Sequence, residues 1–505
     1  MQLNPGSASV LVVGAGTMGG GIAQIAAQAG HAVQLHDARE GAAAQCCARI
    51  AASLDALAAK GKIGAAEARE VAARIRPIAS LSEAAGAGLV LEAIVEELDA
   101  KRRLLQALEA VLDASAIIAS NTSSISVTAL ARGMQHPGRL VGMHFFNPVP
   151  LMKLVEVISG LHTQGTVAES VFELAKAWGK VPVHARSTPG FIVNRIARPY
   201  YAEALALLQE QAAAPSVLDA CLRAAGFRMG PCELMDLIGH DTNFAVTHSV
   251  YEANFYDKRY VPSCLQRELV DGGLLGRKSG RGFYAYPGGA PALPVAVIEA
   301  PITAGRITVH GAGPIADRLE HAARDALAAQ GWGPARQVDS AWTGVEIDDA
   351  RLVLTDGDPA HVVAGRTGVA DLAVFDRPMV DPAPPGLALA YAVHAGASDS
   401  WRAQAPAWLH ALGFTPLRLE DVPGLIVART LAMLINEAAD AVLQGVCSAD
   451  GADAAMKLGV NYPAGPFEWL HAWSPRGVAG VIRSLDACYR GERYRVSPWL
   501  QRRGG

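Results

Sequence analysis

Positive charge is in short supply in this chain. Its 44 Lys and Arg residues face 48 Asp and Glu, for a net charge of −4. Without a positive field, the phosphates of DNA or RNA are not attracted, so no nucleic-acid partner is expected. Cysteine is also scarce. Cys46, Cys47, Cys221, Cys232, Cys264, Cys447 and Cys488 are odd in number, scattered and without a CxxC pair. Zinc ribbons and a dense disulfide framework are therefore disfavoured, and a reducing compartment fits best. The first 36 residues lack Lys, Arg, Asp and Glu altogether. A signal peptide needs a positive start, which is missing. Pro5 and five glycines between Gly14 and Gly21 also break the stretch as a membrane span. No other stretch reads as a spanning helix, so no membrane partner is expected and the expected location is the cytoplasm.

What the chain has is apolar mass. Hydrophobic residues make up 51% and charged residues 18% of 505, enough for large cores and too much for a mainly disordered chain. At roughly 150 residues per domain, about three domains are expected.

Short apolar runs alternate with helical periodicity from Ser9 to Ile158. The runs are 10–13, 32–36, 89–93, 117–120, 139–143 and 155–159; the helical patterns are 18–29, 39–59, 97–112 and 166–178. This alternation predicts a parallel, doubly wound sheet. Asp55 to Ala73 reads as two helices around Gly61 and Gly64, a hairpin inserted in this first domain. After Pro189 the pattern is helical only. A Pro-, Ala- and Gly-rich stretch at about 290–304 reads as a linker. Beyond it, apolar runs at 307–309, 352–354, 372–375 and 388–392, with a helix over 315–328, predict a second, smaller α/β unit.

The helical segment recurs. Pro189-Gly190-Phe191-Ile192-Val193-Asn194-Arg195 matches Pro423-Gly424-Leu425-Ile426-Val427-Ala428-Arg429 at an offset of 234. Gly230-Pro231-Cys232-Glu233-Leu234 matches Gly465-Pro466-Phe467-Glu468-Trp469 at 235. Two matches at nearly one offset imply a duplicated helical domain.

Gly14-Ala15-Gly16-Thr17-Met18-Gly19 follows the first strand and opens a helix, the setting a G-x-G-x-x-G phosphate loop requires. Gly14 permits the turn, Gly16 admits a pyrophosphate, and Gly19 allows helix–strand packing. The amides at Thr17 and Met18 start the helix, where phosphates are attracted. Asp37 ends the second strand. A carboxylate there accepts hydrogen bonds from a ribose 2′-OH and repels a 2′-phosphate, so NAD is the expected cofactor. Gly311-x-Gly313 lacks the third glycine, and a degenerate, nonbinding fold is the expectation there.

His144 ends one strand and Glu156 lies on the next, beyond a turn marked by Asn147, Pro148 and Pro150. A His held by a carboxylate has a fixed tautomer and serves as a general base near neutral pH. Taken alone, a packed histidine beside a solvated glutamate is the commoner arrangement. Ser120-Asn121-Thr122-Ser123-Ser124 lies at the carboxyl edge of the sheet, where a substrate oxygen can be held; these residue types also cap helices. Asn194 sits in an apolar helix start, and its counterpart in the repeat is Ala428, so packing alone does not demand it.

Together GAGTMGGGIAQ, EAIVEELDAK, SNTSS, HFFNPVPLMKLVEVI, TPGFIVNRI and LGRKSGRGFY resemble the L-3-hydroxyacyl-CoA dehydrogenase family over about residues 9–286. The stretch near 417–500 resembles a second copy of that family's C-terminal helical domain. The chain is similar to long bacterial members with two such domains, many of which serve phenylacetate catabolism as 3-hydroxyadipyl-CoA or 3-hydroxybutyryl-CoA dehydrogenases. The resemblance implies an acyl-CoA substrate, His144 as base with Glu156 as partner, and Ser123 and Asn194 positioning substrate oxygens. It also implies NAD contacts from Glu96, Lys101, Asn147 and Lys278, and coenzyme A contacts from Ser53 and Lys60. A Lys60 ammonium would pair with a CoA phosphate. The fold expected is an α/β Rossmann-type doubly wound domain, an all-α domain, a degenerate Rossmann-like α/β unit and a second all-α domain. Its expected limits are 1–187 with the hairpin at about 39–75, then 188–288, 289–416 and 417–505. One active site is expected per chain, because the repeat lacks the Asn and a His–Glu pair. Relatives of this fold that serve as lens crystallins, and dehydrogenases of small free hydroxy acids, are the alternatives. The two helical copies predict a monomeric pseudo-dimer or a homodimer. Arg195 and Arg198, near Asn194, read as surface residues or interdomain contacts.

Overall fold

The computed structural model describes residues 9–84, 86–292, 302, 305–328, 333–379 and 386–504. The stretch read as a linker, about 290–304, lies almost wholly outside them. The chain forms two compact units, one of Met1–Arg195 with Ala441–Asn461 and one of Ile196–Asp440 with Tyr462–Gly505. The stretch of the second helical copy is divided between the units, with 441–461 in the first and the rest in the second.

The first unit is built on one sheet. Its strands are β1 (Ser9–Val13), β2 (Val33–His36), β3 (Ile75–Pro77), β4 (Ala87–Glu92), β5 (Ile117–Ser120), β6 (Leu140–Phe145), β7 (Leu154–Ser159) and β8 (Val181–Arg186). Their order is β3-β2-β1-β4-β5-β6-β7-β8, doubly wound about β1 and β4. β1 to β6 run parallel; the central strands β1, β4, β5 and β6 are near-continuous apolar runs, as strands covered on both faces are. β7 corrects the all-parallel expectation. It runs antiparallel to β6, and β8 runs parallel to β7. The reason is length: residues 146–153 are too few for the crossover of about a dozen residues that a parallel partner needs. Val10, Val12, Leu35, Leu89, Leu91 and Ala119 fill the core against helix Thr17–Gln28, whose buried side is Ile22, Ala23, Ile25 and Ala26. Helices Ala42–Ala59 and Ala65–Ala73 form the inserted hairpin, turning at Gly61.

The second unit holds the other sheet: β9 (Ile307–His310), β10 (Ala335–Gln337), β11 (Gly344–Ile347), β12 (Ala350–Leu354), β13 (Leu372–Phe375), β14 (Leu387–Val393) and β15 (Phe414–Arg418). Its order is β10-β9-β11-β12-β13-β14-β15. The pattern β13-β14-β15 repeats β6-β7-β8: antiparallel, then parallel. The difference lies at the centre. β11 runs antiparallel between β9 and β12, where the first sheet pairs β1 directly with β4. Among the described residues this sheet has seven strands against eight in the first, within a shorter stretch of chain.

The helical copies share unusual backbone. Gly190 and Phe191 have φ of 75° and 47°, and Gly424 and Leu425 have 69° and 50°. They also exchange contacts reciprocally. Within the second unit, Arg259 reaches Glu437 at 3.3 Å, and Arg493, its counterpart at the repeat offset, reaches Glu203, the counterpart of Glu437, at 2.9 Å. Tyr260 donates to Glu437 at 2.5 Å, and its counterpart Tyr494 donates to Glu203 at 3.1 Å. Helix Pro215–Ala224 packs on β14 in the second unit, while its counterpart Ala449–Gly459 packs on β7 and β8 in the first. Residue i meets j′ and j meets i′, which is the signature of an isologous two-fold interface.

Candidate active site

The glycine loop is shaped by three different constraints. Gly14 has φ of 109°, and a side chain there would sit 2.4 Å from the Ala93 carbonyl. A side chain on Gly19 would sit 1.7 Å from the Gly14 carbonyl. Gly16 differs: a side chain there would meet nothing within 4 Å. Packing does not explain that glycine, whereas close approach by a phosphate does. Gly16 caps helix Thr17–Gln28 with no side-chain bond, and Thr17 is exposed, so the first amides are free for an anion.

Asp37 stands at the end of β2. Its carboxylate accepts the Ala15 amide at 2.8 Å and the Arg39 amide at 2.9 Å. Burial pushes its pKa up, but hydrogen bonds from the Arg39 guanidinium and these two amides outweigh that and hold it at about 2. The carboxylate is therefore ionised and anchored to the glycine loop.

Glu96 and Lys101 lie together beside the end of β4. Lys101 is buried, with its ammonium 2.9 and 2.8 Å from the two oxygens of Glu92 at the end of β4 and 3.4 Å from Glu96. Glu96 accepts from the Thr122 hydroxyl at 2.7 Å, the Ser123 amide at 2.8 Å and the Ser124 amide at 3.1 Å. Burial raises its pKa, yet the Thr122 hydroxyl, the Lys101 charge and the Ser123 amide bring it below the usual carboxylate range. Glu96 thus organises the turn after β5. Asn121 ties this turn to the next strand by accepting the Phe145 amide at 2.9 Å.

His144 and Glu156 face one another across the antiparallel β6–β7 pair. His144 Nδ1 lies 2.6 Å from Glu156 Oε2. The other oxygen, Oε1, accepts the amides of Ile192 and Val193, each at 3.0 Å, at the helix start that carries Asn194. The glutamate is 1% exposed and fully engaged, not solvated. Because Nδ1 faces the carboxylate, Nε2 is the nitrogen left for a substrate, and it has no hydrogen-bond partner among the described residues. The rings of Phe146 and Phe191 flank the imidazole, with centroids 4.6 and 6.1 Å away. Asn194 Nδ2 points to the Ser123 carbonyl at 3.5 Å, so the structure brings His144, Glu156, Ser123 and Asn194 together.

The remaining predicted residues are dispersed. Asn147 is exposed on the loop after β6. Ser53 and Lys60 are exposed on the hairpin, seven positions apart and so near one helical face. Lys278 belongs to the second unit, where it pairs with Asp241. Arg195 and Arg198 are buried, against the surface reading. Arg195 donates to Gln444 at 2.8 Å, and Arg198 lies over the Tyr201 ring at 4.9 Å.

One structural residue beside the site escaped the sequence patterns. Lys180 is buried, and its ammonium donates to the carbonyls of Val149 at 2.5 Å and Met152 at 2.8 Å, closing the loop that follows His144. Burial lowers its pKa to about 8. A lysine flanked by Trp178, Val181 and Val183 was the signal available.

The comparisons with known proteins meet this geometry. Residues 9–188 match the 3-hydroxyacyl-CoA dehydrogenase NAD binding domain, and the C-terminal domain of the same family matches twice, at 190–286 and 424–504. The chain belongs to the 3-hydroxyacyl-CoA dehydrogenase family. Residues 352–423 match the 3-hydroxybutyryl-CoA dehydrogenase reduced Rossmann-fold domain. The chain is 41% identical to a 3-hydroxyadipyl-CoA dehydrogenase of Escherichia coli, over 98% of its length and 97% of the relative's. It is 44% identical to a probable 3-hydroxybutyryl-CoA dehydrogenase of Deinococcus radiodurans, over 54% of its length and 99% of the relative's. The crystal structure of an Escherichia coli 3-hydroxybutyryl-CoA dehydrogenase superposes with a TM-score of 0.87 at 40% identity, covering 99% of this chain and 98% of that one. The family is NAD-dependent, so the enzyme is an NAD-dependent oxidoreductase of 3-hydroxyacyl-CoA. Among the described residues no helix is long and apolar enough to cross a membrane.

Proposed function

We propose that the chain oxidises (3S)-3-hydroxyadipyl-CoA to the 3-oxo compound in phenylacetate catabolism, with His144 as general base. The observation that carries the base assignment is the His144–Glu156 contact, 2.6 Å between buried groups with Nε2 left free. Bound NAD supplies the hydride acceptor, and the open space at Gly16, the uncapped helix start and ionised Asp37 suit it. His144 Nε2 takes the proton of the C3 hydroxyl. Glu156 stabilises the imidazolium as its charge appears, because its own charge is already held by the Ile192 and Val193 amides. In the reverse direction the same nitrogen returns the proton. Ser123 and Asn194, joined at the Ser123 carbonyl, hold the substrate oxygens, and Ser53 and Lys60 hold the CoA end. Glu96, Lys101, Asn147 and Lys278 keep the NAD contacts that the family resemblance implies for them, and Glu96 also holds the turn after β5.

The acyl group is tested by kcat/KM for 3-oxoadipyl-CoA beside acetoacetyl-CoA, following NADH. Preference for the adipyl compound supports the proposal. Preference for acetoacetyl-CoA turns the reading to short-chain hydroxybutyryl metabolism, the reading that the relatives with hydroxybutyryl names favour.

We further infer that the second helical copy stands where a partner subunit's would in a homodimer. The reciprocal Arg259–Glu437 and Arg493–Glu203 pairs support this.

A further inference from the structure

The second sheet departs from the first at the place where a dinucleotide would sit. β11 is inserted between β9 and β12, and a side chain on Gly311 would run into Thr343 and Trp342 just before that strand. The cleft between β9 and β12 is therefore filled by protein. A different cavity opens one strand further along. It has a volume of about 700 Å³ and lies at the carboxyl ends of β12 and β13, walled by Thr355, Arg377, Trp342, Trp473 and Arg476. That size suits a small-molecule ligand, and carboxyl strand ends are where open α/β sheets bind one.

The chemistry of the wall favours an anion. Asp356 is matched by Arg366, which bonds it at 3.1 Å, and Arg351 is matched by Glu346 at 2.9 Å. Arg377 and Arg476 have no carboxylate partner among the described residues. Arg377 is half-buried, its guanidinium 4.3 Å from the Trp473 ring centroid. The neighbouring Asp376 acts on it only through space: its carboxylate accepts the amides of Arg377, Ile426, Val427 and Ala428 and makes no ion pair with the guanidinium among the described residues. An arginine lying on an indole presents both a fork for phosphate oxygens and a flat surface for a ring.

We propose that this cavity binds a nucleotide, phosphates on Arg377 and Arg476 and base against the tryptophans, as a noncatalytic site separate from the dehydrogenase centre. No His–Glu pair stands there: Phe375 and Tyr391 face one another across β13–β14, where the first sheet has its pair.

The probe is ADP, titrated by calorimetry into the full chain with no other nucleotide present, beside the Arg377→Glu and Arg476→Glu variants, in which only the dehydrogenase centre is left to bind it. One further equivalent of ADP, beyond that bound by the variants, is expected to bind to the wild type. Arg377→Glu, and separately Arg476→Glu at an exposed position, are expected to weaken it at least about tenfold, with kcat and NADH affinity within about twofold of wild type. The proposal falls if no further equivalent binds at millimolar ADP, or if Arg476→Glu in a variant with unchanged melting leaves ADP affinity unaltered. It also falls if inorganic pyrophosphate binds as tightly as ADP, because the ring would then contribute nothing.

Discussion

At the scale of single residues, Asp37 is proposed to select NAD over NADP. Its carboxylate is held ionised to about pH 2, so affinity for NADH is expected to stay flat from about pH 5 to pH 8 as far as this group is concerned. Asp37→Ala removes the ribose acceptor and leaves Arg39 free. The expected outcome is a loss of NADH selectivity over NADPH of at least about tenfold, read from kcat/KM for the two cofactors. Glu156→Gln keeps the shape of the His144 partner but removes its charge. It should lower kcat and leave NADH binding intact, a split visible when turnover and NADH fluorescence titrations are compared. The strand-end places of Asp37 and His144, and the place of Glu156 on the next strand, were legible from the apolar runs. The burial of Lys101 on helix Leu98–Val111 against Glu92 was not, because it is a fact of tertiary packing.

At the scale of elements, the strands and helices of the first sheet follow the apolar periodicity closely, because each is covered on both faces. What failed to show was direction and short edge strands. β3 has three residues and ends in Pro77, too little for an alternation to register. β7 reads like any buried strand, and only the length of the preceding loop carries its reversal. β11 has no sequence signal that separates it from a turn. The turn after β5 provides an element-scale test. Glu96 gathers the donors of Thr122, Ser123 and Ser124, so Glu96→Ala should release the turn. The expected result is a raised KM for the acyl-CoA substrate together with a lower kcat, because Ser123 is both displaced and no longer fixed.

At the scale of the whole molecule, the duplicated helices dominate. Glu203 is fully buried and takes Arg429 at 2.6 Å and Arg493 at 2.9 Å, both from the other copy. Glu203→Ala leaves a buried Arg429 with only the longer pair to Glu210 at 3.7 Å, a loss of up to about 3–5 kcal/mol that should appear as a lower urea midpoint. The duplication was visible as two matched motifs, but the exchange of helices between sheets was not, since sequence offset carries no information on which sheet a helix covers. If the second copy replaces a partner subunit, light scattering should find no larger assembly than is needed to satisfy one chain. A truncation after about residue 290 should dimerise or aggregate, and a truncated form that stays a stable monomer would contradict the pseudo-dimer.

We propose that His144, held by Glu156, moves the proton in this NAD-dependent 3-hydroxyacyl-CoA dehydrogenase. The deciding measurement follows NADH consumption with 3-oxoacyl-CoA substrates in the wild type and in His144→Ala. The expected result is rapid turnover by the wild type, and a kcat lower by about 10²–10⁴ in the variant with NADH affinity unchanged. A variant within about threefold of wild type would remove His144 from the mechanism, and a wild type that leaves NADH unconsumed would contradict the assignment as a whole.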